Sequence, residues 1–220
     1  MSRAFDGFPL EEAIAARAAV VGIVLPPPSV AGLAAHARAV MRESRRLHLT
    51  AVLDPAAFVE RHLGESFDGA AMVDPGAVGT LLDLGSGNGY PGLPLAAARP
   101  RLKAALAEAS PKKAEFLREV IAEAGLPSAR VIERQIQRPG DLDPLVGGIR
   151  LVVTRAAGGW ERILPRLRPR LDPVGEVLVW AGVDMETVRH RVAWRRLELV
   201  ERRLLRGRER SWVWRFRGAG

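Results

Sequence analysis

Thr80-Leu81-Leu82-Asp83-Leu84-Gly85-Ser86-Gly87-Asn88-Gly89-Tyr90-Pro91-Gly92 begins as a strand-length apolar run and then places four glycines within eight residues. Without Cβ atoms, such a segment can turn sharply at the carboxyl end of a strand and bring its backbone close to a ligand. Pro91 suits the first turn of a following helix, where its missing N–H costs nothing. Gly87, Gly89 and Gly92 also satisfy G-x-G-x-x-G, so the glycines alone admit a dinucleotide as the ligand. Asp83 argues against it. This residue ends the strand two positions before Gly85, where a carboxylate would repel a pyrophosphate but attract the ammonium and sulfonium of S-adenosylmethionine. Glu108 closes the next apolar run, Leu102–Leu106 and beyond, where an acid can accept hydrogen bonds from ribose hydroxyls. That device serves both cofactor classes and therefore indicates nucleoside binding without choosing between them.

Downstream of the loop, further strand-length runs stand at Arg130–Ile132, Leu151–Thr154 and Val177–Trp180. Helical stretches separate most of them, the clearest being Lys112–Ala124 with Phe116, Leu117, Val120 and Ile121 on one face. Alternating strand and helix predicts a mostly parallel sheet covered on both sides. Leu197–Leu205 and Trp212–Phe216, joined through Arg206-Gly207-Arg208, read as a closing antiparallel hairpin whose aromatic face packs on helices. Upstream, residues 10–21 read as a helix that ends at Pro26-Pro27-Pro28. Ser29 is the expected cap of a second helix reaching Ser44, and Asp54-Pro55 that of a third. The expected architecture is α/β, a Rossmann-like class I methyltransferase domain over residues 76–220 with a helical extension over 1–75.

Composition narrows the chemistry. The 220 residues contain no cysteine, which excludes disulfides, cysteine-held zinc and a cysteine nucleophile, including the one used to methylate pyrimidine carbons. The turn after the fourth strand reads V-V-T-R-A-A-G-G, not the Asn/Asp-Pro-Pro-aromatic turn typical of exocyclic adenine amines. An acidic N-terminus, and apolar runs too short to span a bilayer, predict a cytosolic protein without a membrane partner. The net charge of +8 is concentrated in residues 189–217, where eleven arginines face Glu198, Glu201 and Glu209; the rest of the chain balances. Such a patch would fit RNA phosphates, although arginine in place of lysine throughout is also what a GC-rich genome writes.

Four stretches together resemble the glucose-inhibited division protein B family, bacterial methyltransferases of the N7 atom of a guanine in 16S ribosomal RNA. They are L-H-L-T-A-V-L-D-P with E-R-H-L-G-E-S, L-L-D-L-G-S-G-N-G-Y-P-G-L-P-L, K-K-A-E-F-L-R-E-V and T-R-A-A, within Leu47 to Ala181. The resemblance implies S-adenosylmethionine as cofactor and small-subunit ribosomal RNA as partner. It also implies that Gly85 and Tyr90 line the cofactor, that Ile136 and Gln137 flank the adenine, and that Arg155 closes the site as the candidate catalytic residue. Gly87 and Glu108, read above from the loop and the strand end, complete the expected cofactor site. Arg155 would pair with Asp83 or with a substrate phosphate. The chain departs from the family pattern at Gln137, usually an acid, at Ala181-Gly182, usually Lys-Gly, and at Leu53, usually arginine. Those departures leave open a divergent paralogue with another RNA or small-molecule substrate, or a non-catalytic RNA-binding scaffold. Methylation at N7 removes no proton, so none of the histidines needs a catalytic role, and His62 reads as a packing or surface residue.

Overall fold

A computed structural model describes residues 5–126, 128–143, 145–155 and 158–219. The two alanines of T-R-A-A, at 156 and 157, lie outside them. Four helical segments come first: α1 (Leu10–Ala19), α2 (Pro27–Leu47), α3 (Pro55–Phe58) and α4 (Glu65–Ala70). The prolines at 26–28 open α2 instead of only closing α1, because proline at the first helical positions loses no hydrogen bond. Asp54 caps α3 by accepting from the Ala57 N–H at 2.8 Å. A π-helical turn, Val59–Gly64, joins α3 to α4.

The alternating part follows as β1 (Gly79–Leu84), α5 (Gly92–Ala98), β2 (Leu102–Glu108), α6 (Pro111–Glu123), β3 (Ala129–Glu133), β4 (Ile149–Arg155), α7 (Trp160–Ile163), β5 (Leu171–Gly182) and α8 (Met185–Val188). The hairpin β6 (Leu197–Leu204) and β7 (Ser211–Gly218) ends the chain. The described strands form one sheet ordered β3-β2-β1-β4-β5-β7-β6, parallel from β3 to β5 and antiparallel at β5–β7–β6. This is the expected fold class.

Among the described residues, the helices before residue 75 share the core of the sheet. Leu10, Leu33, Phe58 and Phe67 belong to the same buried cluster as Leu81, Leu106, Leu178 and Val213 of the sheet. The opposite face buries Leu82, Val152, Val179, Trp194, Trp214 and Phe216. The hairpin's aromatic face thus packs inward as its alternation predicts, while Val213 fills the other side. Arg202 lies over the rings of Trp212 and Trp214, 5.6 and 5.0 Å from their centroids.

Two contacts hold α4, one to α1 and one to the sheet. Arg17 of α1 is buried and donates to Glu60 and to Asp68, each at 2.8 Å. Trp180 of β5 donates its indole N–H to the Glu65 carbonyl at 2.9 Å, and its ring fills the space where a Cβ on Gly69 would stand. Among the described residues no helix is long and apolar enough to cross a membrane. Replacing Gly69 with alanine should therefore destabilise the protein by about 1–3 kcal/mol through overpacking, although alanine is the better helix former. Urea unfolding of the two proteins measures the difference, and an unchanged midpoint would show that the indole can move aside.

Candidate cofactor and substrate site

Because β1 to β4 run parallel, their carboxyl ends share one edge, and a cavity of about 550 Å³ opens there. Gly85, Gly87, Tyr90, Glu108, Ile136 and Arg155 all line it. Gly85 and Gly87 adopt φ of 73° and 56°, the left-handed region that disfavours other residues. A Cβ on Gly87 would meet nothing closer than 3.9 Å. The other two loop glycines answer to packing: a Cβ on Gly92 would lie 2.5 Å from the Asp83 carboxylate, and one on Gly89 would lie 3.0 Å from His36 Nε2. Glu108 holds the loop from the β2 side, its Oε2 accepting from the Gly87 N–H at 2.8 Å and its Oε1 from the Ser110 N–H at 2.7 Å. Each oxygen keeps a second lone pair for a ligand hydroxyl.

The helices before residue 75 grip the same loop. His36 donates from Nε2 to the Asn88 carbonyl at 2.7 Å, and the Asn88 amide donates to the Leu49 carbonyl at 3.0 Å. The Tyr90 ring lies between two imidazoles, with its centroid 4.4 Å from that of His36 and 5.0 Å from that of His62. Burial lowers His36 to about 4 and His62 to about 3, so both rings are neutral at pH 7.

Asp83 and Arg155 do not meet as the sequence suggests. Asp83 is buried, is not part of the cavity wall, and accepts from the Gly92 N–H at 3.1 Å. Burial raises its carboxyl to about 7, with hydrogen bonds from Gly92 and Ser86 opposing the rise. It anchors the loop from behind the cavity wall. Arg155 turns instead to the π-helical turn. Its Nη1 donates to the Arg61 carbonyl at 2.8 Å and lies 3.3 Å from Glu65 Oε2, while its Nη2 lies 2.8 Å from His62 Nδ1. The other oxygen of Glu65 accepts from Arg208 at 2.8 and 3.0 Å.

A family model described as rRNA small subunit methyltransferase G, GidB, matches residues 30–201. The chain belongs to this family. The ribosomal RNA small subunit methyltransferase G of Sorangium cellulosum is 34% identical over 201 residues, covering 91% of this chain and 80% of that one. The protein of the same name from an Anaeromyxobacter species is 33% identical over 172 residues, 78% of each. A ribosomal protein L11 methylase from Lactobacillus delbrueckii subsp. bulgaricus superposes with a TM-score of 0.56 over 73% of this chain and 79% of its own, at 17% identity, and shares the fold.

One further expectation needs correction in this GidB-family chain besides the one about Asp83. Gln137 does not line the cavity. Its backbone N–H is tied to Asp141 at 2.9 Å, and its exposed side chain leaves Ile136 and Gln135 on the wall. Of the two readings given to His62, packing holds: it is buried against Phe58 and Tyr90, and it also lines the cavity beside Thr50. The hairpin turn also reaches the site. Ser211 pairs with Gly182 at the carboxyl end of β5, so the turn sits on the same edge as the glycine loop. Glu65, Thr50 and Asn88 were the residues missed. The spacing in E-R-H-L-G-E-S, which sets His62 and Glu65 three apart on one helical face, was the available signal.

The raised Asp83 pKa has a consequence for stability. The folded protein retains a proton up to about pH 7 that the unfolded chain releases near 4, so this carboxyl makes the fold less stable as pH rises between those values. In cofactor-free protein, Asp83→Asn should remove that slope. Its stability relative to the wild type should climb by a few kcal/mol, roughly 1.4 per pKa unit, from pH 4 to pH 8. Denaturant titrations at several pH values check it, and parallel curves would contradict it.

Proposed function

We infer that this chain transfers the methyl group of S-adenosylmethionine to the N7 atom of a guanine in small-subunit ribosomal RNA. The observation that carries the reading is the glycine loop with Glu108 at the carboxyl edge of the sheet, in a chain of the GidB family. The residues fit the cofactor. Glu108 would take the ribose hydroxyls, Ile136 and Gln135 would flank the adenine, and the open face at Gly85 and Gly87 would admit the methionine end. When bound, S-adenosylmethionine supplies a methyl group made electrophilic by its sulfonium.

The protein's own part is positioning. A guanine N7 has a free lone pair and gives up no proton, so rate comes from alignment and from fixed charges around the reacting atoms. The wall provides no proton carrier at His62, because both of its ring nitrogens are engaged. Arg155 shares the single carboxylate of Glu65 with Arg208, so this part of the wall keeps a net positive charge that is held in place. A ribosomal RNA substrate implies work in the cytosol.

The test is mass mapping of small-subunit ribosomal RNA after incubation with protein and S-adenosylmethionine, with calorimetry for the cofactor. Expected are cofactor binding and 7-methylguanine at one position; no cofactor binding, or methylation of another atom, would overturn the reading. Arg206 and Arg210 are exposed in the hairpin turn at this edge, whereas Arg208 is tied to Glu65. Replacing Arg206 and Arg210 with glutamine should reduce the salt slope of RNA affinity by about 1.4, or 0.7 per single-strand phosphate contact, and leave cofactor affinity unchanged. An unchanged slope would move the RNA to another face, such as that bearing Arg45.

A further inference from the structure

Thr50 closes a chain of hydrogen bonds whose polarity can be worked out atom by atom. Arg155 Nη2 stands 2.8 Å from His62 Nδ1, and a guanidinium has only N–H donors. His62 Nδ1 is therefore the acceptor. A neutral imidazole with a lone pair on Nδ1 carries its proton on Nε2, and the depressed basicity of this buried ring keeps it neutral. Nε2 lies 2.8 Å from Thr50 Oγ1, so His62 donates and Thr50 accepts. The same Oγ1 accepts the Val52 N–H at 3.0 Å. Both lone pairs of the hydroxyl oxygen are then filled. What remains is its own proton, which can only be donated.

The position of this committed donor is informative. Glu108 and Ile136 stand at the β2 and β3 side of the sheet edge, where the nucleoside of the cofactor fits. Arg155, His62 and Thr50 stand at the β4 side. Thr50 also borders a second groove, lined by Ser44, Arg45, His48, Ala51 and Leu53, that opens beside the cofactor cavity. A substrate base entering by that groove would pass Thr50 on its way into the cavity. A donor-only hydroxyl there favours a base edge that presents acceptors. The major-groove edge of guanine offers O6 and N7, whereas adenine sets an amino group where guanine has O6.

We propose that Thr50 is the residue that selects guanine over adenine, its hydroxyl donating to O6 while the adjacent N7 faces the methyl group. His62 is then a positioning residue that fixes the polarity of the Thr50 hydroxyl, and Arg155 fixes His62 in turn. This inference rests on the N7-guanine reading above.

The experiment compares wild type, Thr50→Val and Thr50→Ser on small-subunit ribosomal RNA carrying either guanine or 2-aminopurine, which lacks O6, at the mapped target position. Calorimetry with S-adenosylmethionine reports both folding and cofactor affinity. Expected are a loss of about tenfold or more in kcat/KM for Thr50→Val on guanine, near-complete recovery with Thr50→Ser, and unchanged cofactor affinity. On 2-aminopurine the wild type and Thr50→Val should be equally slow, because the interaction is already absent. Equal rates on guanine would overturn the proposal, and so would an undiminished penalty on 2-aminopurine. A parallel loss of cofactor affinity would also overturn it, by assigning the hydroxyl to the cofactor. If the wild type methylates no guanine N7, the underlying reading fails and the proposal falls with it, whereas a normal wild type with an indifferent Thr50 removes the proposal alone.

Discussion

A single buried carboxylate, Glu65, stands between two arginines that arrive from opposite parts of the chain. One oxygen meets Arg155 at the end of β4 and the other meets Arg208 from the hairpin turn. A charge removed from water is costly unless it is paired and fully hydrogen-bonded, and leaving either member alone would cost several kcal/mol. The arrangement therefore holds as a unit. It requires α4 to lie flat on the sheet, which Trp180 and Gly69 permit, and it requires the β6–β7 turn to reach the carboxyl edge, which the antiparallel pairing with β5 ensures. The segment that carries most of the chain's excess positive charge is thereby fastened beside the cavity.

The glycine loop depends on the same helices from the other side. A loop of left-handed glycines has little stiffness of its own, and its shape here is imposed by neighbours. His36 and Leu49 hold Asn88, Glu108 holds Gly87, and Asp83 holds Gly92. Two of these anchors come from the first fifty residues, so those helices complete the cofactor loop instead of merely covering it. The stacked His36–Tyr90–His62 rings continue this into the cavity wall, where neutral imidazoles can sit against one another without repulsion.

The periodic part of the fold was legible because a parallel sheet needs buried runs and its helices need apolar faces; β1 to β5 and α6 all stood out on those grounds. The first-half helices were legible as helices, but their job was not, since contacts such as His36 to Asn88 join residues more than fifty apart and leave no local pattern. Gly85, Gly87 and Glu108 were readable because a strand-end position fixes where a side chain points. Asp83 was misjudged for a related reason. Being next to a loop fixes the edge but not which face of the strand a residue takes, and the Gly92 N–H claimed its carboxylate first. Arg155 was found, but its pairing with Arg61, His62 and Glu65 was not, because those partners stand some ninety residues earlier in the chain and no local pattern links them to a strand end.

That turn sets the helical phase of everything after it. An α-helix advances about 100° per residue, so the wider Val59–Gly64 turn acts as one inserted residue between α3 and α4. A chain shortened by one residue there could relax to a regular helix with better internal hydrogen bonding. Its α4 would then be rotated by more than a quarter turn, carrying Glu65 away from both arginines and Gly69 away from Trp180, and the Arg61 carbonyl would return to the helix. Length is thus constrained in this segment as tightly as its side chains: Glu60 and His62 answer to partners elsewhere, and the number of residues between 59 and 64 cannot change without dismantling the wall they build.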